Sequence, residues 1–315
     1  MLNRITKLDK CIQEYVQLGI KCGLINNDNL NRIISRLERV NFSIDNNNPG
    51  DAQTTPIRDS QNVRISKGLD VKINEKKTLK LNKYYFKDEV VFHELTHCIN
   101  GIYENWFENL SLWFDFDKIF LNNFIVKEDR IEELSKNPQY RQKAYAWLVL
   151  DEFVAQYVAQ ILVEEKYGKK IYEYENKQIK QSDPIITINT NLADYHEFYD
   201  IVLKFIEPIY GNNINQFICD SLNSNIINKI FNYYSKISNG AELLYSLLGE
   251  MGNIGFAVAS KNFTEDQCSS DNDMIARNPK NFFSHYNNFL YIIDSVLKGK
   301  TFIPGIKGSF GNGLK

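Results

Sequence analysis

The chain has 315 residues, 43% of them hydrophobic and 24% charged, with a formal net charge of −2. That length and apolar share suffice for a real core in one or two domains, and the near-neutral balance excludes the clustered Lys and Arg excess of a nucleic-acid surface. No stretch supplies the roughly 18 uncharged apolar residues of a membrane span, and the start, Met1 to Lys10, lacks the apolar core of a secretory signal, which points to a cytoplasmic location.

Amphipathic helical patterns cover residues 4–23 and 28–41, split by Asn26-Asn27-Asp28. Residues 43–62 are polar, with Asn46-Asn47-Asn48-Pro49-Gly50 and Pro56, and read as a loop. Short alternating runs follow at 63–66, 71–74 and 79–81, with Glu75-Lys76-Lys77 as a hairpin turn between the last two. The five cysteines (Cys11, Cys22, Cys98, Cys219 and Cys268) are odd in number and widely spaced, so they read as reduced thiols, Cys98 as a core residue.

Residues 93–97 read His93-Glu94-Leu95-Thr96-His97, inside a stretch with a helical apolar stripe at Val91, Leu95, Cys98 and Ile102. Two histidines at i and i+4 share one helical face and can reach one zinc ion, while Glu94 projects beside the metal as a candidate general base. Such a site needs a third protein ligand. A histidine on a continuation of the same helix is ruled out, because Asn100 and Tyr103 stand where the metzincin pattern has glycine and histidine. An upstream cysteine is ruled out too, since none lies between Cys22 and Cys98. Glu104 is on the right face but roughly 10 Å along the helix axis from His97. A carboxylate from another helix remains. Residues 139–166 contain no Gly or Pro, and Asp151-Glu152 is the acidic pair in their apolar middle, where a carboxylate is costly unless paired or metal-bound.

The two helices together resemble the gluzincin metallopeptidases, in which H-E-x-x-H is followed by a downstream helix carrying Asn, Asp or Glu, then Glu, two further residues, Ala or Ser, and a residue of Asp or Gln type. Asp151-Glu152-Phe153-Val154-Ala155-Gln156 matches that pattern. The resemblance implies Glu152 as third ligand to Zn²⁺, with Asp151 as its rival, on the helix surface or behind the ligands. It also implies close packing at Ala155 and an edge strand beside the first helix that pairs with an extended peptide. Gln156 departs from the family, which often has an aspartate there to orient a histidine. The gap between His97 and Glu152 is also longer than usual, an inserted segment with an aromatic cluster over residues 106–136.

Beyond Lys170 lie an irregular stretch with a strand-like run at 185–188, helical patterns at 192–208, 213–237, 241–249 and 280–298, and a loose tail from Pro304. Zinc peptidases stabilise the oxyanion of the tetrahedral intermediate with a Tyr or His outside the ligand set. His196 is the leading candidate, with Tyr195, His285 and Tyr286 as alternatives.

The sequence therefore predicts a mainly α (α+β) fold, a helical zincin-like core with a small hairpin or sheet before the H-E-x-x-H helix. The expected division is an N-terminal helical segment and loop over 1–62, the catalytic core over 63–170, a C-terminal helical subdomain over 171–303 and a tail over 304–315. The expected activity is zinc-dependent cleavage of a protein substrate by His93, His97, Glu152 and Glu94. The abundance of Asn, Ile and Lys, with no classical signal, resembles metalloprotease effectors of intracellular bacteria, which are exported and cut a host protein, sometimes a cytoskeletal one. The competing readings are a non-enzymatic helical interaction module with a vestigial metal site, and a regulatory protease acting on a bacterial repressor.

Overall fold

A computed structural model describes Ile5 and residues 8–48, 52–58, 64–76, 84–102, 138–169, 192–223, 225–238, 240–260 and 279–298. The expected strands at 79–81 and 185–188, the aromatic segment at 106–136, Glu104 and the tail lie outside these residues. Among them the protein is mainly helical with one three-stranded sheet, as its sequence implies.

The N-terminal helices are α1 (Lys10–Lys21) and α2 (Leu30–Leu37). Asp9 caps α1 by accepting the Cys11 N–H at 2.9 Å. The chain leaves α1 through Gly23, whose φ of +74° suits a residue without a Cβ. Gly19 is needed for space instead, since a Cβ there would lie 2.6 Å from Ile25 Cδ1. Helix α2 stops at Leu37 because strand β1 (Val40–Ile44) begins at once, which shortens the helix expected to reach residue 41.

Strand β2 (Ala52–Arg58) lies within the expected polar loop at 43–62, and β3 (Arg64–Ile73) joins two of the expected short runs into one strand. The sheet order is β1-β3-β2, with β1 parallel and β2 antiparallel to β3. Strand β3 alternates, burying Leu69, Val71 and Ile73. Strand β1 alternates as well, as Val40-Asn41-Phe42-Ser43-Ile44, whereas β2 has no apolar alternation and is held by its ladder to β3, which is why its sequence reads as loop. Pro56 is tolerated because β2 is an edge of the described sheet. Glu75 and Lys76 are helical, and the rest of the expected hairpin, Lys77 and the run at 79–81, lies outside the described residues.

Helix α3 (Tyr84–Ile99) carries the histidines. Val91, Leu95, Cys98 and Ile102 are all buried, so the apolar stripe faces the core. Tyr15 of α1 packs against Phe92, ring centroids 5.9 Å apart, with its hydroxyl 2.9 Å from Thr96 Oγ1. The C-terminal carbonyls of α3 would otherwise be unsatisfied. Arg36 Nε donates to the Cys98 carbonyl at 2.8 Å, and Arg32 Nη2 to the Ile99 carbonyl at 3.0 Å and to that of Leu222.

Helix α4 (Pro138–Tyr167) starts on a proline, favourable in a first turn, and ends before Gly168 at a φ of +91°. It is followed by α5 (Leu192–Tyr210), α6 (Ile214–Leu222), α7 (Ile226–Tyr234), α8 (Gly240–Ser260) and α9 (Pro279–Leu297). The expected helix over 213–237 is instead two, α6 ending at Leu222 and α7 starting at Ile226, with Asn223 and Asn225, residues that favour turns, at the two ends of the interruption. Helix α8 runs past its expected end because Met251 and Ile254 continue its buried side.

The described elements group into two units. One contains α1, α2, the sheet, α3, α4 from Leu150 onward and nearly all of α6; Phe153 and Phe217 pack there with centroids 6.0 Å apart. The other contains α4 up to Val149, α5 from His196, most of α7, and α8 and α9, with Phe205 stacked on Tyr234. No helix among the described residues is long and apolar enough to cross a membrane.

Candidate metal centre

Helices α3 and α4 run antiparallel in the first unit, and polar contacts join them along their length. At one end Asp88 Oδ2 accepts from Lys166 Nζ at 2.6 Å and from the Tyr167 hydroxyl at 2.5 Å. At the other, Asn100 Nδ2 donates to Asp151 Oδ1 at 2.7 Å. Ala155, where the resemblance implies close packing, is fully buried.

Between these ends His93, His97 and Glu152 converge, each offering one ligand atom, with all three atoms within 4.8 Å of one another. His93 Nε2 and His97 Nε2 are 3.0 Å apart. Glu152 Oε2 lies 3.1 Å from His93 Nε2, and Oε1 lies 3.8 Å from His97 Nε2. Tetrahedral ligands at zinc bond lengths sit about 3.3–3.5 Å from each other, so the three side chains have nearly the spacing that one ion requires.

The protons on the imidazoles are fixed by what lies behind them. Asp151 is fully buried and its Oδ2 is 2.7 Å from His97 Nδ1. A carboxylate only accepts, so Nδ1 carries the hydrogen and Nε2 faces the pocket. Burial pushes the Asp151 carboxyl upward, while the neighbouring His97 pulls it back. On the other side, Gln156 Nε2 donates to Glu89 Oε1 at 2.6 Å, which turns the Gln156 amide oxygen toward His93 Nδ1 at 3.1 Å. His93 Nδ1 must then be the donor, and its Nε2 also presents a lone pair.

Two imidazole lone pairs and a carboxylate therefore face one point, an arrangement that is repulsive without a positive charge. Burial disfavours an imidazolium at His97, yet Asp151, Glu152 and Glu94 outweigh it and hold the ring's pKa up to about 10. The pocket thus takes a proton readily, and a divalent cation answers all three donors at once. Glu152 keeps 23% of its side chain exposed, against 7% for His97, so the pocket opens to solvent on the Glu152 side.

Glu94 lies on α3 between the two histidines in sequence, and a residue in the expected loop holds it. Thr54 of β2 donates its hydroxyl to Glu94 Oε2 at 2.5 Å and approaches the Glu94 carbonyl at 3.3 Å. Thr54 pairs with buried Val71 across the sheet, which places it on the face turned to α3. Nothing local in the sequence marks it. Asn100, where a histidine ligand pattern breaks down, supports Asp151 instead and accepts the Ile102 N–H at 3.1 Å. Asp151 is thus not on the helix surface, and the departure at Gln156 is made good by Gln156 and Glu89 together.

No described contact bears on the expected oxyanion residues at this cluster. His196 and Tyr195 lie on α5, and their side chains are outside those described. His285 belongs to the second unit, where its Nδ1 is 2.6 Å from Glu250 Oε2 and 3.3 Å from Asn253 Nδ2. Tyr286 follows it on α9. Comparison with family models, with curated proteins and with solved structures gives no match, so the reading of this centre rests on its own geometry.

Proposed function

We propose that the protein is a zinc-dependent endopeptidase of gluzincin type. The observation that carries this reading is the convergence of His93 Nε2, His97 Nε2 and the Glu152 carboxylate beside Glu94, with both imidazole tautomers set by Asp151 and Gln156. Zinc bound there supplies Lewis acidity that polarises a peptide carbonyl and makes water acidic enough to be deprotonated near neutral pH. Glu94 holds the transferred proton on its carboxylate and returns it to the leaving amide nitrogen. Strand β2, an edge of the described sheet against α3, offers a main-chain rim for an extended substrate. In this reading the substrate is a protein, and the composition supports an exported effector acting on a host target.

The metal test comes first. Purified protein should hold close to one zinc per chain by atomic emission, and His93→Ala with His97→Ala should abolish it, because one remaining carboxylate cannot retain the ion. Stoichiometric zinc in the double variant would sink the assignment. Gln156→Ala should weaken zinc affinity about 10- to 100-fold in competition with a chromogenic chelator, since it releases the His93 ring. New protein N-termini in a lysate treated with the wild type, and missing with Glu94→Gln, would separate the peptidase from an interaction module that merely binds metal.

A further inference from the structure

We propose that Thr54 is a positioning residue for Glu94, so that strand β2 sets the direction in which the general base faces; this rests on the peptidase reading above. The hydroxyl of Thr54 donates to Oε2 of Glu94 at 2.5 Å. A carboxylate has two oxygens, and this contact divides their work. Oε2 is tied to the sheet, which on the peptidase reading makes Oε1 the oxygen that receives the proton. The tie is not a local accident of one helix, because the two residues are 40 positions apart and belong to different elements. The register of β2 on β3 places Thr54 opposite Val71, so a one-residue slip would turn the hydroxyl to the far face and free the carboxylate. An unrestrained glutamate has three rotatable bonds, and fixing it in a reactive orientation removes that freedom before the reaction begins.

The test compares Thr54→Val, which keeps the shape and removes the donor, with Thr54→Ser, which keeps the donor. In metal-free protein labelled with ¹³C-glutamate, the Glu94 carboxyl resonance is identified by its loss in Glu94→Gln. Thr54→Val should shift it, and Thr54→Ser should return it to the parent position. On a mixed-sequence fluorogenic peptide library, Thr54→Val should lower kcat about 10- to 100-fold with KM and zinc content unchanged, and Thr54→Ser should recover most of it. An unmoved resonance in Thr54→Val overturns the proposal, as does a Thr54→Ser that behaves like Thr54→Val. If the resonance responds as expected but neither the parent nor Thr54→Ser cleaves any peptide or protein, the peptidase reading fails and the Thr54–Glu94 contact stands.

Discussion

Replacing Glu94 with glutamine is expected to lower turnover at least about 10²-fold while leaving the zinc in place. The amide keeps the size of the carboxylate and can still accept from Thr54, so the fold and the contact to β2 persist. What disappears is a base able to take a proton at the reacting centre. Glu94 is not among the three converging ligand atoms, so metal content should match the parent. The check is kcat on the substrate revealed by new N-termini, together with zinc per chain. Undiminished turnover would move the base elsewhere, and lost zinc would make Glu94 a ligand.

Asp151 and Glu152 are adjacent in sequence, yet their replacement should have opposite signatures. Glu152→Ala removes a ligand atom from a partly exposed side chain, so zinc should be lost with little change in the melting temperature of the metal-free protein. Asp151→Ala removes a fully buried acceptor and strands two donors, the Nδ1–H of His97 and the side-chain amide of Asn100. Each stranded group costs about 1–3 kcal/mol, so the metal-free protein should lose on the order of 2–6 kcal/mol in denaturant unfolding. Its zinc affinity should fall only about 10- to 100-fold, because His97 loses its orientation but not its lone pair. The reverse pattern would make Asp151 the ligand.

The parts of this centre that follow local rules were readable from residue order. An i, i+4 histidine pair with an intervening glutamate and an apolar stripe on another face defines α3, and an acidic pair in an apolar helix marks α4. Support around the ligands is a different matter. Thr54 lies among Asn, Pro and Gly residues that favour turns, and β2 is strand only because β3 pairs with it. Asn100 first reads as the residue that spoils a third-histidine pattern. Its use is visible only when α4 brings Asp151 within 2.7 Å. Gln156 looks like a weakened orienting group until Glu89, buried a turn before His93, fixes which way its amide points. Long-range partners of polar side chains leave no periodicity to read.

The arginine caps on α3 have a consequence for chain topology. Arg36 and Arg32 take the carbonyls of Cys98 and Ile99 where the helix ends just past His97, and the third converging side chain, Glu152, comes from a segment remote in sequence. An ion held by His93, His97 and Glu152 is therefore also a cross-link that ties off residues 98–151 as a closed loop. By the chain-entropy relation, bringing together the ends of a loop of this length is a restriction of about 4 kcal/mol, met on folding because the ion does not hold the unfolded chain. That restriction varies slowly, by about 0.6 kcal/mol for each doubling of loop length. A change in the length of the intervening segment would therefore alter the cost of closing this loop only slightly.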